Sequence, residues 1–242
     1  MNKLKIENVS YRYSNHYQTT YALREVNAQF QSGQFCVIEG KSGSGKTTML
    51  SLLAGLDLPS EGTIYLDEKS YRELDRDKLR RNQLSIIFQN YNLFPMLTVQ
   101  ENIAYPLGLT GRKKGNWKER INEILESVGL NETMQKKFPG MLSGGEQQRV
   151  AIARTIASEA PIILADEPTG NLDTANSGRI VEKLKKLSHE DGRCVILVTH
   201  DPDIARQADV LYRMSDGRIV EKQNRIGDEQ TTDEALKKLA EN

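Results

Sequence analysis

Residues 40–47 read GKSGSGKT: Gly40, Lys41, Ser42, Gly43, Ser44, Gly45, Lys46 and Thr47, with Thr48 next. The run fits G-x-x-x-x-G-K-[ST], and it lies between the strand-like FCVIEG and the helix-like TTMLSLLAGL, the context that pattern requires. Glycines let backbone wrap a phosphate chain so that successive N–H groups and a helix N-terminus face the anion. Lys46 adds a cation, and the Thr47 hydroxyl can ligate magnesium. A second run, IILADE, ends on Asp166 and Glu167. A buried strand ending there delivers one carboxylate to the magnesium shell beside a phosphate loop. Neighbours leaving a strand point in different directions, so Glu167 is free to orient and deprotonate water.

Those two motifs admit kinases and GTPases as well as other nucleotide hydrolases. The discriminating segment is LSGGEQQRVAIARTIA, residues 142–157. Ser143 followed by Glu146 is a capping box at the start of an amphipathic helix. Gly144 and Gly145 directly after the cap weaken a purely structural role, because they cost helix stability unless backbone must approach something closely. With Gln147 they form a glycine-rich helix N-terminus, itself an anion site, far along the chain from the phosphate loop.

The elements that must position these residues follow from apolar patterning. LKIENVSYRY and YALREVNAQF alternate like an antiparallel pair of strands, and FCVIEG, LSIIFQ, IILADE and CVILVTH read as buried strands. SGRIVEKLKKLSHE, between the last two, gives a βαβ rhythm. Residues of about 91–159 carry helical patterns and no convincing strand. There WKERINEILESVGL spaces Ile121, Ile124, Leu125 and Val128 as a packing face, after the polar linker GLTGRKKGNW. VLYRMSDGRIVEK predicts a hairpin turning at Asp216 and Gly217, and residues 223–242 form a polar tail ending in a short helix, DEALKKLAEN.

The bulk numbers narrow the function classes. The 242 residues are 38% hydrophobic and 27% charged, enough for one large domain with a subdomain. Lys plus Arg and Asp plus Glu both number 33, so the net charge of zero offers no footprint for nucleic acid. Cys36 and Cys194 sit singly in apolar runs, as buried thiols of a reducing compartment do. No signal peptide and no membrane-spanning stretch is evident, which points to a cytoplasmic location.

Taken together, GKSGSGKT, LSGGEQQ and IILADEPTGNLD resemble the nucleotide-binding domains of ABC proteins, over about residues 4 to 222. The resemblance implies an α/β P-loop NTPase of the ABC ATPase fold: a mostly parallel core sheet, an antiparallel β subdomain, and a helical subdomain at about 91–159 inserted in a RecA-like core. It implies ATP and Mg2+ as ligands and an ATP-dependent homodimer in which Ser143, Gly144, Gly145, Glu146 and Gln147 meet the γ-phosphate bound to the opposite subunit. By the same likeness Gln89 is the Q-loop glutamine at magnesium, His200 the switch histidine, and Asn171, Leu172 and Asp173 the D-loop. Tyr13 resembles the aromatic that stacks on adenine, with Tyr11 as the alternative. Either tyrosine could instead simply pack, since alternate strand positions share a face.

ADEPTGNLD and QNYNLFPMLTVQENI look like the branch of macrolide-export, lipoprotein-release, antimicrobial-peptide-resistance and FtsE-type ATPases. That likeness implies an integral membrane permease in trans, an extracytoplasmic adaptor reached through it, and a peripheral place on the cytoplasmic face of the membrane. Phe94, Met96 and Leu97 fall where such subunits receive a permease helix, though they could equally form a small core between subdomains. The competing class is a soluble ABC protein of DNA repair or translation. Such proteins carry tandem ATPase domains, long insertions or basic arms, whereas here each motif occurs once and the net charge is zero.

Overall fold

The computed structural model describes residues 3–14, 19–109 and 117–225. β1 (Lys3–Ser14) and β2 (Thr19–Gln31) pair antiparallel, from Lys3 opposite Gln31 to Ser14 opposite Thr19. β3 (Phe35–Gly40) leads through the phosphate loop into α1 (Lys46–Leu53). β4 (Glu61–Leu66), β5 (Lys69–Ser70), α2 (Arg76–Asn82) and β6 (Leu84–Ile87) follow. Then come α3 (Val99–Leu109), α4 (Trp117–Ser127), two single 3-10 turns, and α5 (Gly144–Ser158). The chain closes with β7 (Ile162–Asp166), α6 (Thr174–His189), β8 (Cys194–Thr199), α7 (Pro202–Ala205), β9 (Val210–Ser215) and β10 (Arg218–Asn224).

The strands form two sheets. The four-stranded one runs β2-β1-β4-β5 and is antiparallel; the six-stranded one runs β10-β9-β3-β8-β7-β6 and is parallel except for the final β9–β10 hairpin. Every residue of β7 and β8 is buried, the mark of strands covered on both faces. Their alternation divides the core into two layers. Phe35, Val37, Ile163, Ala165, Val195 and Leu197 face the helices α3 to α6. Cys36, Ile38, Ile162, Leu164, Ile196 and Val198 face α1 and the antiparallel sheet. Full burial of each larger side chain contributes roughly 1.5–3 kcal/mol, so β3, β7 and β8 are rigidly packed.

That rigidity fixes the functional edge. Asp166 lies opposite Val198, Ile38 opposite Val198, and Glu39 opposite Thr199, so the C-terminal ends of β3, β7 and β8 stand side by side. The loops leaving them open in one crevice, where parallel α/β sheets bind ligands.

The helical stripe of α4 buries Ile121, Ile124 and Leu125, with Val128 just past its end, as its spacing predicts. β6 departs from expectation: it stops at Ile87, where its pairing with β7 ends opposite Ala165, and Gln89 lies exposed beyond the strand rather than closing it. β6 is an edge strand with a single neighbour, and the apolar Phe88 extends the pattern without joining the ladder. The hairpin turns at Asp216 and Gly217, both at positive φ. Cys36 and Cys194 are free and buried, with both thiols pushed up by burial, Cys194 to about 12. The helix expected in the C-terminal tail, and most of the linker before α4, lie outside the described residues.

Candidate nucleotide site

The phosphate loop is shaped by its contact with β2. Gly45 has φ 102°, and a Cβ there would stand 2.6 Å from the carbonyl oxygen of Ala22, so both the backbone twist and the close approach exclude a side chain. Lys46, 8% exposed, curls back over the loop: its Nζ donates to the carbonyl oxygens of Gly40 (2.7 Å) and Lys41 (3.0 Å). A buried ammonium is thus held at the mouth of the α1 N-terminus, two sources of positive potential at one point.

Asp166 closes the opposite wall. The Thr47 hydroxyl donates to Asp166 Oδ1 at 3.4 Å, joining the end of the phosphate loop to the end of β7. Burial pushes the Asp166 carboxyl above its usual range, with the neighbouring Glu167 charge acting the same way, against the Thr47 hydrogen bond and Lys46. A hydroxyl and a carboxylate beside the exposed Gln89 amide make a hard-oxygen donor set that suits Mg2+. Among the described residues no cluster of three or more His, Cys, Asp or Glu could hold a metal, so magnesium would take its remaining ligands from phosphate and water.

Glu167 leaves β7 in the left-handed region, φ 46°, which turns its side chain away from that of Asp166 and toward the end of β8. Its Oε1 lies 2.9 Å from His200 Nδ1, and its Oε2 accepts from the Thr199 hydroxyl at 3.2 Å. The imidazole is 70% exposed and the carboxylate 13%. A carboxylate with two defined partners on the rim of a cleft has the placement of a general base.

These groups line one cavity of about 870 Å³, together with Tyr13, Lys41, Ser42, Gly43, Thr48 and Gln89. Gly40 and Ser44 sit behind the loop: Ser44 is buried and its carbonyl accepts from Gly217 N–H at 3.1 Å. Tyr13 is 56% exposed, with its hydroxyl 3.3 Å from Thr48 Oγ1. Tyr11 packs edge-on against it, centroids 5.0 Å apart, and spends its hydroxyl on Asp57 outside the cavity. Thr20, Tyr21 and Ala22 of β2 also line the wall. Sequence reasoning missed them, because their role comes from the β1–β2 pairing and no motif marks it.

Ser143, Gly144, Gly145, Glu146 and Gln147 do not line that cavity. Ser143 caps α5 with a full capping box: its backbone N–H donates to Glu146 Oε2 at 2.7 Å, and its Oγ accepts from the Glu146 N–H at 3.3 Å. The Ser143 contacts hold the Glu146 carboxyl below its usual range. A Cβ on Gly145 would meet the carbonyl oxygen of Asn171 at 3.3 Å and Leu172 at 3.4 Å, so the second glycine admits the loop that precedes α6. Asp173 caps α6 through the Asn176 N–H at 2.9 Å. The helix N-terminus and the loop 171–173 are therefore packed together, on a part of the surface separate from the phosphate loop.

A phosphate loop, a strand-end carboxylate at its hydroxyl and a second carboxylate lining the same cavity are the features of a P-loop nucleoside triphosphatase. The ABC transporter family model matches residues 23–170, and the chain belongs to that family. It is 43% identical to the ABC transporter ATP-binding protein MJ0796 of Methanocaldococcus jannaschii over 89% of this chain and 94% of that one. It is 40% identical to the lipoprotein-releasing system ATP-binding protein LolD of Saccharophagus degradans, over 91% and 97%. It is 43% identical to the macrolide export ATP-binding/permease protein MacB of Bordetella avium, over 86% of this chain and 32% of that larger one. A solved dimeric structure of MJ0796 superposes with a TM-score of 0.87 at 40% identity, over 92% of this chain and 98% of that one; a second, post-hydrolysis structure holds ADP and Pi at 0.85. This chain is an ATP-binding and ATP-hydrolysing ABC subunit of the expected α/β fold.

Proposed function

We propose that the chain hydrolyses MgATP as a head-to-tail homodimer and so drives a separate membrane permease of the export or release type. One observation carries this: the cavity gathers phosphate loop, both carboxylates and His200, yet residues 143–147 present their helix N-terminus elsewhere. A second copy would bring that N-terminus, with its glycines and cap, to the open side of the bound γ-phosphate. The dimeric MJ0796 structure supports the arrangement.

In this reading the adenine stacks on Tyr13 and the phosphates lie along residues 40–48, with Lys46 turning from the loop carbonyls to the β- and γ-phosphates. Thr47, Asp166 and Gln89 would hold magnesium, which neutralises charge on the transferring phosphoryl group. Glu167 takes a proton from water as the water oxygen bonds to the γ-phosphorus and the bridging P–O bond breaks, releasing ADP and phosphate. His200 leaves Glu167 to donate to the γ-phosphate, and Asn171, Leu172 and Asp173 carry the closure of one active site to the other.

The permease docks at the groove of Phe94, Tyr105, Leu109 and Arg154 beside Met96. Phe94 and Tyr105 rings meet at 4.7 Å, and Arg154 lies 5.6 Å over Phe94, donating to the carbonyls of Tyr91 and Asn92. Met96 is 84% exposed. Asn102, fully buried, pins the turn: it accepts from the Phe94 N–H and donates to the carbonyls of Phe94, Leu97 and Thr98. An apolar, aromatic surface held in place this way suits an incoming helix. Among the described residues no helix is long and apolar enough to cross a membrane. In this reading membrane attachment runs through that permease, on the cytoplasmic face, and through it to any extracytoplasmic adaptor. LolD and MacB favour this reading over DNA repair or translation.

Mixing two inactive variants tests the dimer. Ser143→Arg obstructs the partner's site and Lys46→Ala disables its own, so a heterodimer combines both lesions in one site and leaves the other intact. Recovery of ATPase activity on mixing is the expected result; its absence, with heterodimers demonstrated, contradicts the arrangement.

A further inference from the structure

We propose that Thr199 is a positioning residue for hydrolysis: its hydroxyl is the fixed anchor of the Glu167 carboxylate, while His200 is the anchor that lets go. The inference rests on Glu167 being the general base.

Three consecutive positions at the end of β8 grip Glu167. The Val198 carbonyl accepts from the Glu167 N–H at 3.1 Å, the Thr199 hydroxyl meets Oε2 at 3.2 Å, and His200 Nδ1 meets Oε1 at 2.9 Å. The carboxylate accepts, so the Thr199 hydroxyl is the donor of that bond. The Asp201 N–H donates to a lone pair of Thr199 Oγ1 at 3.0 Å, which holds the hydroxyl in place with its proton on the carboxylate. A backbone amide thus sets the hydroxyl, and the hydroxyl sets the carboxylate.

The two side-chain anchors differ in freedom. Thr199 is 1% exposed, β-branched, and set at the last position of a strand whose every residue is buried, so its χ1 is held by packing. His200 is 70% exposed and lies past the strand end. When His200 turns to phosphate, Oε1 is freed to accept the proton of water, and Oε2 stays on Thr199. Without the hydroxyl, a glutamate on left-handed backbone keeps its place in sequence but not the direction of its lone pairs. Misplacement of a reacting group by about 1 Å costs on the order of 10²-fold in rate.

The test compares Thr199→Val, nearly isosteric but lacking the hydroxyl, with Thr199→Ser, which keeps it. Thr199→Val should lower kcat about 10- to 100-fold while KM and calorimetric ATP affinity stay within about twofold, and Thr199→Ser should restore most of kcat. Should the valine variant unfold, Thr199→Ala against Thr199→Ser isolates the hydroxyl, since both lack the methyl. In a Glu167→Gln background, Thr199→Val should lower the residual rate no further. The proposal is overturned if Thr199→Val turns over at the parental rate, if serine is as slow as alanine, or if valine slows the Glu167→Gln protein as much as the parent. A fully active Glu167→Gln protein would instead remove the general-base assignment itself.

Discussion

His200 Nδ1 lies 2.9 Å from Glu167 Oε1, although the two residues leave different strands. A carboxylate accepts, so the proton of that bond sits on Nδ1. To donate from Nδ1 to a phosphate oxygen, His200 must leave Glu167. In the function we propose, that exchange of partners links γ-phosphate recognition to release of the base.

Glu167→Gln tests the base. The amide keeps the shape and an acceptor oxygen but cannot take a proton at neutral pH, a loss of roughly 10²- to 10⁴-fold in turnover. ATP should still bind, and because it persists, light scattering should show an ATP-dependent dimer. Full activity would move the base elsewhere, with His200 the next candidate.

Lys46→Ala removes the ammonium now held on Gly40 and Lys41. Hydrogen bonds to charged groups contribute roughly 1.5–3 kcal/mol, so calorimetric affinity for ATP should fall about 10- to 100-fold. Unchanged affinity would contradict the phosphate-loop assignment.

Asp166 gives a prediction with a sign. Burial raises its folded pKa above the unfolded value, so between the two the folded state holds more protons and stability falls as pH rises. Asp166→Asn should therefore raise the thermal midpoint of the nucleotide-free protein at neutral pH. That advantage should shrink as the pH falls through the raised folded pKa and vanish below the ordinary carboxyl value of 3.8, where the parent is itself neutral in both states. Magnesium-dependent nucleotide binding should weaken at the same time. A lower midpoint for the variant at pH 7 would show that the ionised carboxylate stabilises the fold.

Met96→Asp addresses the docking surface. Because Met96 is 84% exposed, the change should leave the thermal midpoint within about 1–2 °C and the ATPase rate of the isolated protein intact. Co-purification with the native permease should be lost. Retained co-purification would place the contact elsewhere.

Much of this fold can be read from apolar patterning, since β3, β7 and β8 are continuous apolar runs and α4 is a clean stripe. Local motifs likewise announce the phosphate loop and the strand-end carboxylates. What stays hidden is decided by neighbours distant in sequence. β6 stops at Ile87 although β7 runs on to Asp166, and Tyr13 rather than Tyr11 lines the cavity while the Tyr11 hydroxyl lies on Asp57. Thr199 reads as one more β-branched residue in a buried strand; only the approach of β7 gives its hydroxyl a carboxylate to hold. Asn102 in α3 is equally mute until the turn at Phe94 folds onto it.

Specific ATPase activity measured against protein concentration tests the central claim that one chain cannot complete its own site. ATP stabilises the closed dimer only through its greater affinity for closed over open subunits, so nucleotide-free protein should be largely monomeric. Specific activity should then climb with concentration and level off where light scattering with ATP reports dimers. A specific activity that is independent of dilution, in a chain shown to stay monomeric with ATP bound, would contradict it.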